Sequence, residues 1–209
     1  KKTKNDYFRE MLIEVLSWGL SPAWVTGDSW YSSVDNLKYI RKLNLNFMFG
    51  IENNRTVSVE RGTYTQAQKL EDWPDSNERE VYLKDYGMVK LFRQMYKEAY
   101  RYYIMGVANL TNLEKVNFSD FEVVHAAHWH IEQFHRAIKQ VCNIERFQVR
   151  KEKPVKNHIF CAIKAFSCLE FMRFDNEISH WYELKRDLFI STIGEFITGM
   201  TENLALVNA

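Results

Sequence analysis

Apolar residues recur at Phe8, Met11, Leu12, Val15 and Leu16 within residues 3–18, the spacing of one helical face. Asn5 or Asp6 is expected to cap this helix, and Gly19 to stop it. After Pro22 the run AWVTGD, residues 23–28, is short, apolar and ends on an acid, which predicts a buried strand. SSVDNLKYIRKLN then places Val34, Leu37, Ile40 and Leu43 on one side of a second helix. FMFGIENN follows as an apolar run too short for a helix. Helix, strand, helix, strand in this order predicts a parallel sheet covered by helices.

The pattern then changes. TVSVE, EVYLKDY, MVKLFRQMY and YRYYIMGVA alternate or cluster β-branched and aromatic residues around turn signals at Arg61-Gly62 and Asp85-Tyr86-Gly87. Residues 55–118 therefore read as an antiparallel β-rich insertion. From Ser119 the chain turns helical, over roughly 119–142, 157–175 and 178–205, with a basic, proline-containing loop before the second of these. Three parts are expected: 1–54, 55–118 and 119–209.

Composition narrows the class. With 46% hydrophobic and 15% aromatic residues, and only 3 prolines and 8 glycines in 209 residues, the chain folds around a core of its own. Lys+Arg and Asp+Glu, 28 against 27, leave a formal charge of +1, so binding to nucleic acid must rest on a local basic patch. Cys142, Cys161 and Cys168 form no CxxC pair and read as reduced, buried thiols of a cytoplasmic protein. No apolar run approaches the ~20 residues that cross a membrane. The opening KKTKNDYF has no initiator methionine and suggests a fragment.

The stretch HAAHWHIEQFHRAIKQ, residues 125–140, carries four histidines. On a helical wheel Val124, Ile131, Phe134, Ile138 and Val141 gather in one sector, the expected buried face. His125, His128, Glu132, His135, Arg136 and Lys139 gather in the sector beside it. Three readings stand open. The face is solvated, with i,i+4 pairs such as Glu132 with Arg136, each worth about 0.2–0.5 kcal/mol. Alternatively His128, Glu132 and His135 bind zinc, although the His-Glu-x-x-His spacing of zinc peptidases is absent. In the third, Glu132 is a ligand for a hard metal ion, with Arg136 and Lys139 facing phosphates.

Two blocks of sequence, VTGDSWYSSVDNLKYIRKLNLNFMFGIENNR and HWHIEQFHRAIKQVCNIERFQVRKEKPVKNHI, together resemble the DDE transposases of bacterial insertion sequences. That family is a ribonuclease-H-like, cut-and-paste group with a β-rich insertion before its last acid. Asp28, followed by Ser29-Trp30-Tyr31, stands where the family's second acid closes a central strand. The last acid of the family lies within Y-x2-R-x3-E-x6-K, and Trp129, Ile131, Glu132 and Lys139 match in register. His125 and His128 fill the tyrosine and arginine positions.

The resemblance implies an α/β fold: a ribonuclease-H-like core, N-terminally incomplete, with an inserted antiparallel β subdomain and C-terminal helices. It implies that Asp28 and Glu132 are catalytic carboxylates holding Mg²⁺ or Mn²⁺, in a two-metal attack on a phosphodiester. His128, Arg136, Lys139, Arg150 and Lys151 are the expected DNA contacts. The last two belong to RFQVRKEKPVK, where Arg146, Lys153 and Lys156 oppose Glu145 and Glu152; a solvated charged loop is the alternative there. The expected partners are double-stranded DNA, as transposon ends and target, and a second copy of the chain, at the nucleoid. The family's first acid lies upstream of the helix that opens this chain, so the chain alone is expected to be inactive. A non-catalytic DNA-binding or subunit-interaction remnant and a zinc hydrolase are the rival readings.

Overall fold

A computed structural model of the chain describes residues 1–207. It divides into two compact units, Lys1–Trp129 and the residues from His130 onward.

The first unit opens with α1 (Lys4–Ser17). Thr3, not Asn5 or Asp6, is its cap: the Thr3 hydroxyl accepts from the Asp6 amide at 3.2 Å, and the Asp6 carboxylate accepts from the Thr3 amide at 2.8 Å. Hydrogen bonds donated to the Asp6 carboxylate by the Thr3 amide and hydroxyl, and by Arg9, hold this carboxyl below the usual carboxylate range. Gly19, with φ 80, ends the helix in the left-handed region that glycine tolerates. Strand β1 (Trp24–Gly27), helix α2 (Val34–Lys42) and strand β2 (Asn46–Ile51) follow in the expected order, and β1 pairs with β2 in parallel.

Five further strands extend the same sheet: β3 (Thr56–Ser58), β4 (Tyr64–Gln66), β5 (Glu78–Leu83), β6 (Gly87–Tyr96) and β7 (Ala99–Gly106). The seven strands run in the order β1-β2-β7-β6-β5-β3-β4, and every pairing after β1 with β2 is antiparallel. Residues 56–106 thus prolong the sheet begun by β1 and β2, since β7 returns to pair with β2 from Phe47↔Gly106 to Ile51↔Tyr102. Gly106 is required at its position because a Cβ there would overlap the Phe47 ring across the strand pair.

Alternation of side chains sends the sheet's two faces into separate cores. On one, Phe47, Phe49, Leu91 and Ile104 pack with Leu37 and Ile40 of α2 and with Phe8, Leu12 and Leu16 of α1. On the other, Met48, Phe92, Tyr103 and Met105 pack with Phe121 and Val124 of α3 (Phe118–Gln140).

The second unit holds the remainder of α3, α4 (Glu152–Phe174) and α5 (Trp181–Val207). Its small core is Ala137, Leu169 and Trp181, joined by Val141, Phe166 and Leu184. α4 begins five residues before the sequence pattern places it and takes Pro154 into its first turn, where the missing N–H breaks no helical bond. The apolar residues of α4 are only partly buried. Ala162, Phe166 and Leu169 turn inward, whereas Phe160 is 67% and Phe171 is 68% exposed. Cys161 and Cys168 are exposed thiols, not buried ones, for the same reason: they lie outside the narrow stripe that meets the neighbouring helices. Among the described residues no helix is long and apolar enough to cross a membrane.

Candidate active site

Asp28 follows directly on β1 and starts a single 3-10 turn, Ser29–Tyr31, in which the Tyr31 amide donates to the Asp28 carbonyl at 3.0 Å. Gly27 sits before it where a Cβ would press on the Phe49 ring. Asp28 itself is exposed, and its carboxylate has no hydrogen-bond or ion-pair partner among the described residues. Beside it the Ser29 hydroxyl donates to Glu52 Oε1 at 2.7 Å. Glu52 follows β2, the parallel neighbour of β1. Sequence pattern did not single out this second acid, because only strand pairing sets the end of β2 next to the end of β1.

The flanking aromatics divide. Tyr31 stacks on Phe8 at 5.0 Å between ring centroids and belongs to the core. Trp30 is 77% exposed, with the Lys4 ammonium 5.3 Å from its ring centre. Arg55 is half-buried and donates to the Ser32 carbonyl at 3.4 Å, which places it behind the 3-10 turn.

α3 is docked onto the sheet by its first half. Phe121 is fully buried and stacks on Phe92 with centroids 4.9 Å apart and planes 8° from parallel. One turn later His125 Nε2 lies 3.2 Å from the Tyr103 hydroxyl of β7. His128 Nδ1 lies 3.2 Å from the Thr26 hydroxyl of β1. The two histidines therefore hold α3 to strands at two points, one of them two residues before Asp28.

Burial first, then the charges of His128 and Arg101, lowers the pKa of His125. His125 Nε2 and the Tyr103 hydroxyl share one hydrogen bond whose direction the tautomer sets, and burial favours the neutral ring. Because the folded value lies below the ordinary 6.5, the unfolded chain binds more protons in the interval between them. His125 therefore costs the fold stability as pH falls below about 6.5, and none above it. We expect its Cε1 proton to titrate below 6.5 in an NMR pH series. A midpoint at or above that value would contradict the packing described.

Glu132 is exposed on α3, one turn beyond His128, and its carboxylate has no partner among the described residues. The i,i+4 pair with Arg136 is not formed. Lys139 pairs with Glu145 at 2.7 Å, an exposed contact worth about 0–1 kcal/mol. Arg150 and Lys151 are exposed ahead of α4, and Lys151 occupies its N-cap position without a side-chain cap. Lys156 is bound to Glu152 at 2.6 Å. Among the described residues no three of His, Cys, Asp and Glu converge as a ready metal site.

No curated protein matches the chain. Residues 1–167 match the transposase DDE domain. The mixed sheet followed by C-terminal helices is consistent with the ribonuclease-H-like fold of such domains. The chain belongs to the DDE transposase family.

Proposed function

We propose that the chain serves an insertion-sequence transposase acting on double-stranded DNA ends, with Asp28 and Glu132 as ligands of a divalent metal ion. The observation that carries this reading is the pair His128 with Thr26. It ties the first half of α3 to the strand that ends at Asp28, and it does so with a histidine where the family has arginine. Among the described residues neither carboxylate has a partner, which supports a role toward a cation.

Mg²⁺ or Mn²⁺, when bound, would polarise the scissile phosphate and lower the pKa of an attacking water or 3′-hydroxyl. The chain's own groups do the rest. Asp28 and Glu132 hold the cation with anionic oxygens. His128, Arg136, Lys139, Arg150 and Lys151 meet phosphates, and Lys139 must first release Glu145, a weak, exposed tie that DNA phosphates can displace. In this reading 1–54 and 119–209 are core and 55–118 is an insertion that encloses DNA, at the nucleoid in the cytoplasm. Asp6 is engaged with Thr3 and Arg9 as a helix cap and so does not serve as a third ligand.

The test is Mn²⁺ binding followed by electron paramagnetic resonance. Asp28→Asn and Glu132→Gln are each expected to weaken binding on the order of tenfold or more, with circular dichroism unchanged. Equal affinity in either variant would remove that residue from the metal site. Metal-dependent nicking of transposon-end DNA by the chain, lost in Asp28→Asn, would overturn the expected inactivity while leaving the ligand role intact.

A further inference from the structure

β6 and β7 are longer than the strands that flank them. β5 pairs with β6 only as far as Phe92, and β2 pairs with β7 only from Tyr102. Gln94–Tyr96 and Ala99–Arg101 therefore pair only with each other as strands and form a two-stranded ribbon that overhangs the sheet. At about 3.4 Å per residue the overhang is roughly 10 Å long.

The ribbon's two faces differ. Arg93, Met95, Tyr100 and Tyr102 point to the α1 and α2 side. There Arg93 is locked between the Trp73 and Tyr100 rings and donates to Asn77 Oδ1 at 2.7 Å. This face is braced by the chain before β5.

Gln94, Tyr96 and Arg101 point to the face that carries α3, and Tyr96 and Arg101 are exposed. The Arg101 guanidinium lies 3.8 Å from the centre of the Tyr96 ring, and the Lys97 ammonium lies 5.7 Å from the same ring. No carboxylate pairs with Arg101 or Lys97 among the described residues. The acids of β5 on this face are committed elsewhere, since Glu78 and Glu80 turn to Lys90 at 3.4 and 3.8 Å. Lys97 also holds the hairpin turn at φ 57, a left-handed position that asparagine or glycine would occupy with less strain. From Arg101 the row continues along this face through Tyr103 and His125 to His128 at the end of β1.

We propose that this face of the overhanging ribbon is a docking arm for duplex DNA, in which Arg101, stacked on Tyr96, and Lys97 grip phosphates. The inference rests on the transposase reading and adds the ribbon to its DNA contacts. Three properties of the ribbon favour DNA. A two-stranded ribbon matches the width of a major groove, about 12 Å. Stacking on Tyr96 holds the guanidinium plane ready for bidentate phosphate contact without a carboxylate to compete. The cations stand on the side of the sheet that bears α3, while the opposite face is closed by Trp73.

The experiment is a fluorescence-anisotropy titration of the chain against a fluorescein-labelled 30-base-pair duplex of random sequence, over a series of NaCl concentrations. Lys97→Ala with Arg101→Ala is expected to weaken binding several-fold and to flatten the slope of log K against log salt by about 2. Tyr96→Ala alone should reproduce part of the affinity loss with little change of slope. Binding by the parent chain with the double variant unchanged in affinity and slope would overturn the ribbon proposal alone. Absence of binding by the parent chain would overturn the DNA reading beneath it as well. Lysine acetylation read by mass spectrometry on the unaltered protein gives a second measure free of any folding defect. Added duplex should protect Lys97 and leave Lys38, exposed on α2, reactive; equal reactivity of Lys97 with and without duplex would refute the docking arm.

Discussion

Phe121→Ala is expected to cost about 3–5 kcal/mol of stability, the range for removing a large aromatic from a closed core. The ring is fully buried and touches Phe92, Tyr103, Phe118 and His125 with centroids 4.9–5.4 Å away, so no single neighbour can close the space it leaves. The effect also reaches function, because Phe121 is the anchor that seats α3 on the sheet one turn before His125. Urea unfolding followed by tryptophan fluorescence gives the stability loss. NMR gives the second readout, since the His125 midpoint should return toward the ordinary value once its cover is loosened. A loss below about 1 kcal/mol would mean that α3 is held mainly by its polar contacts.

The second large effect concerns Lys90, whose side chain is 10% exposed on β6 and faces Glu78, 18% exposed, at 3.4 Å. Glu80, directly across the strand pair, adds a longer contact at 3.8 Å. Removing both acids, Glu78→Ala with Glu80→Ala, leaves a lysine charge among Met88, Phe92 and Met105 and is expected to destabilise by about 3–5 kcal/mol. Replacing all three charges together, Lys90→Met with Glu78→Leu and Glu80→Leu, should instead be close to neutral or stabilising, by up to about 1–4 kcal/mol, because no desolvated charge is left and the volume is kept. Glu78 Oε2 already lacks a partner in its buried position, so this pair is far from ideally satisfied. Chemical denaturation of the two variants side by side decides the matter: similar losses in both would show that the ion pair itself, and not the isolated charge, governs stability.

Much of this architecture was legible in the chain. The helix of residues 3–18, the two short apolar runs around α2 and the alternating runs that became β5, β6 and β7 all stand where periodicity puts them. Each depends on a local rule, 3.6-residue or two-residue spacing, that needs no knowledge of the partner. The errors were local as well. The cap of α1 moved to Thr3 because a threonine three residues before an aspartate closes a reciprocal box, which Asn5 could not do. α4 took in Pro154 because a proline in the first turn breaks no helical hydrogen bond, so the residue read as a loop signal was compatible with the helix. β4, three residues long, carries too little pattern to be seen.

The candidate site was legible in kind and not in arrangement. Asp28 could be read as an acid closing a strand, and Glu132 as a carboxylate beside an apolar helical sector. The wheel set His125 and His128 on the same side as Glu132, but nothing in their spacing says that one meets Tyr103 and the other Thr26. The second of these contacts joins residues 102 apart. The proximity of Glu52 to Ser29 and the exposure of the α4 aromatics were likewise hidden.

The sequence by itself determined the element types and the alternating faces, because each follows from short-range spacing and side-chain chemistry. Only the tertiary structure decided which strand lies beside which, which cations keep free of carboxylates and which histidine is covered. Those outcomes depend on contacts between residues far apart in the chain, where strand pairing and burial, and no local rule, set each group's neighbours and its solvent.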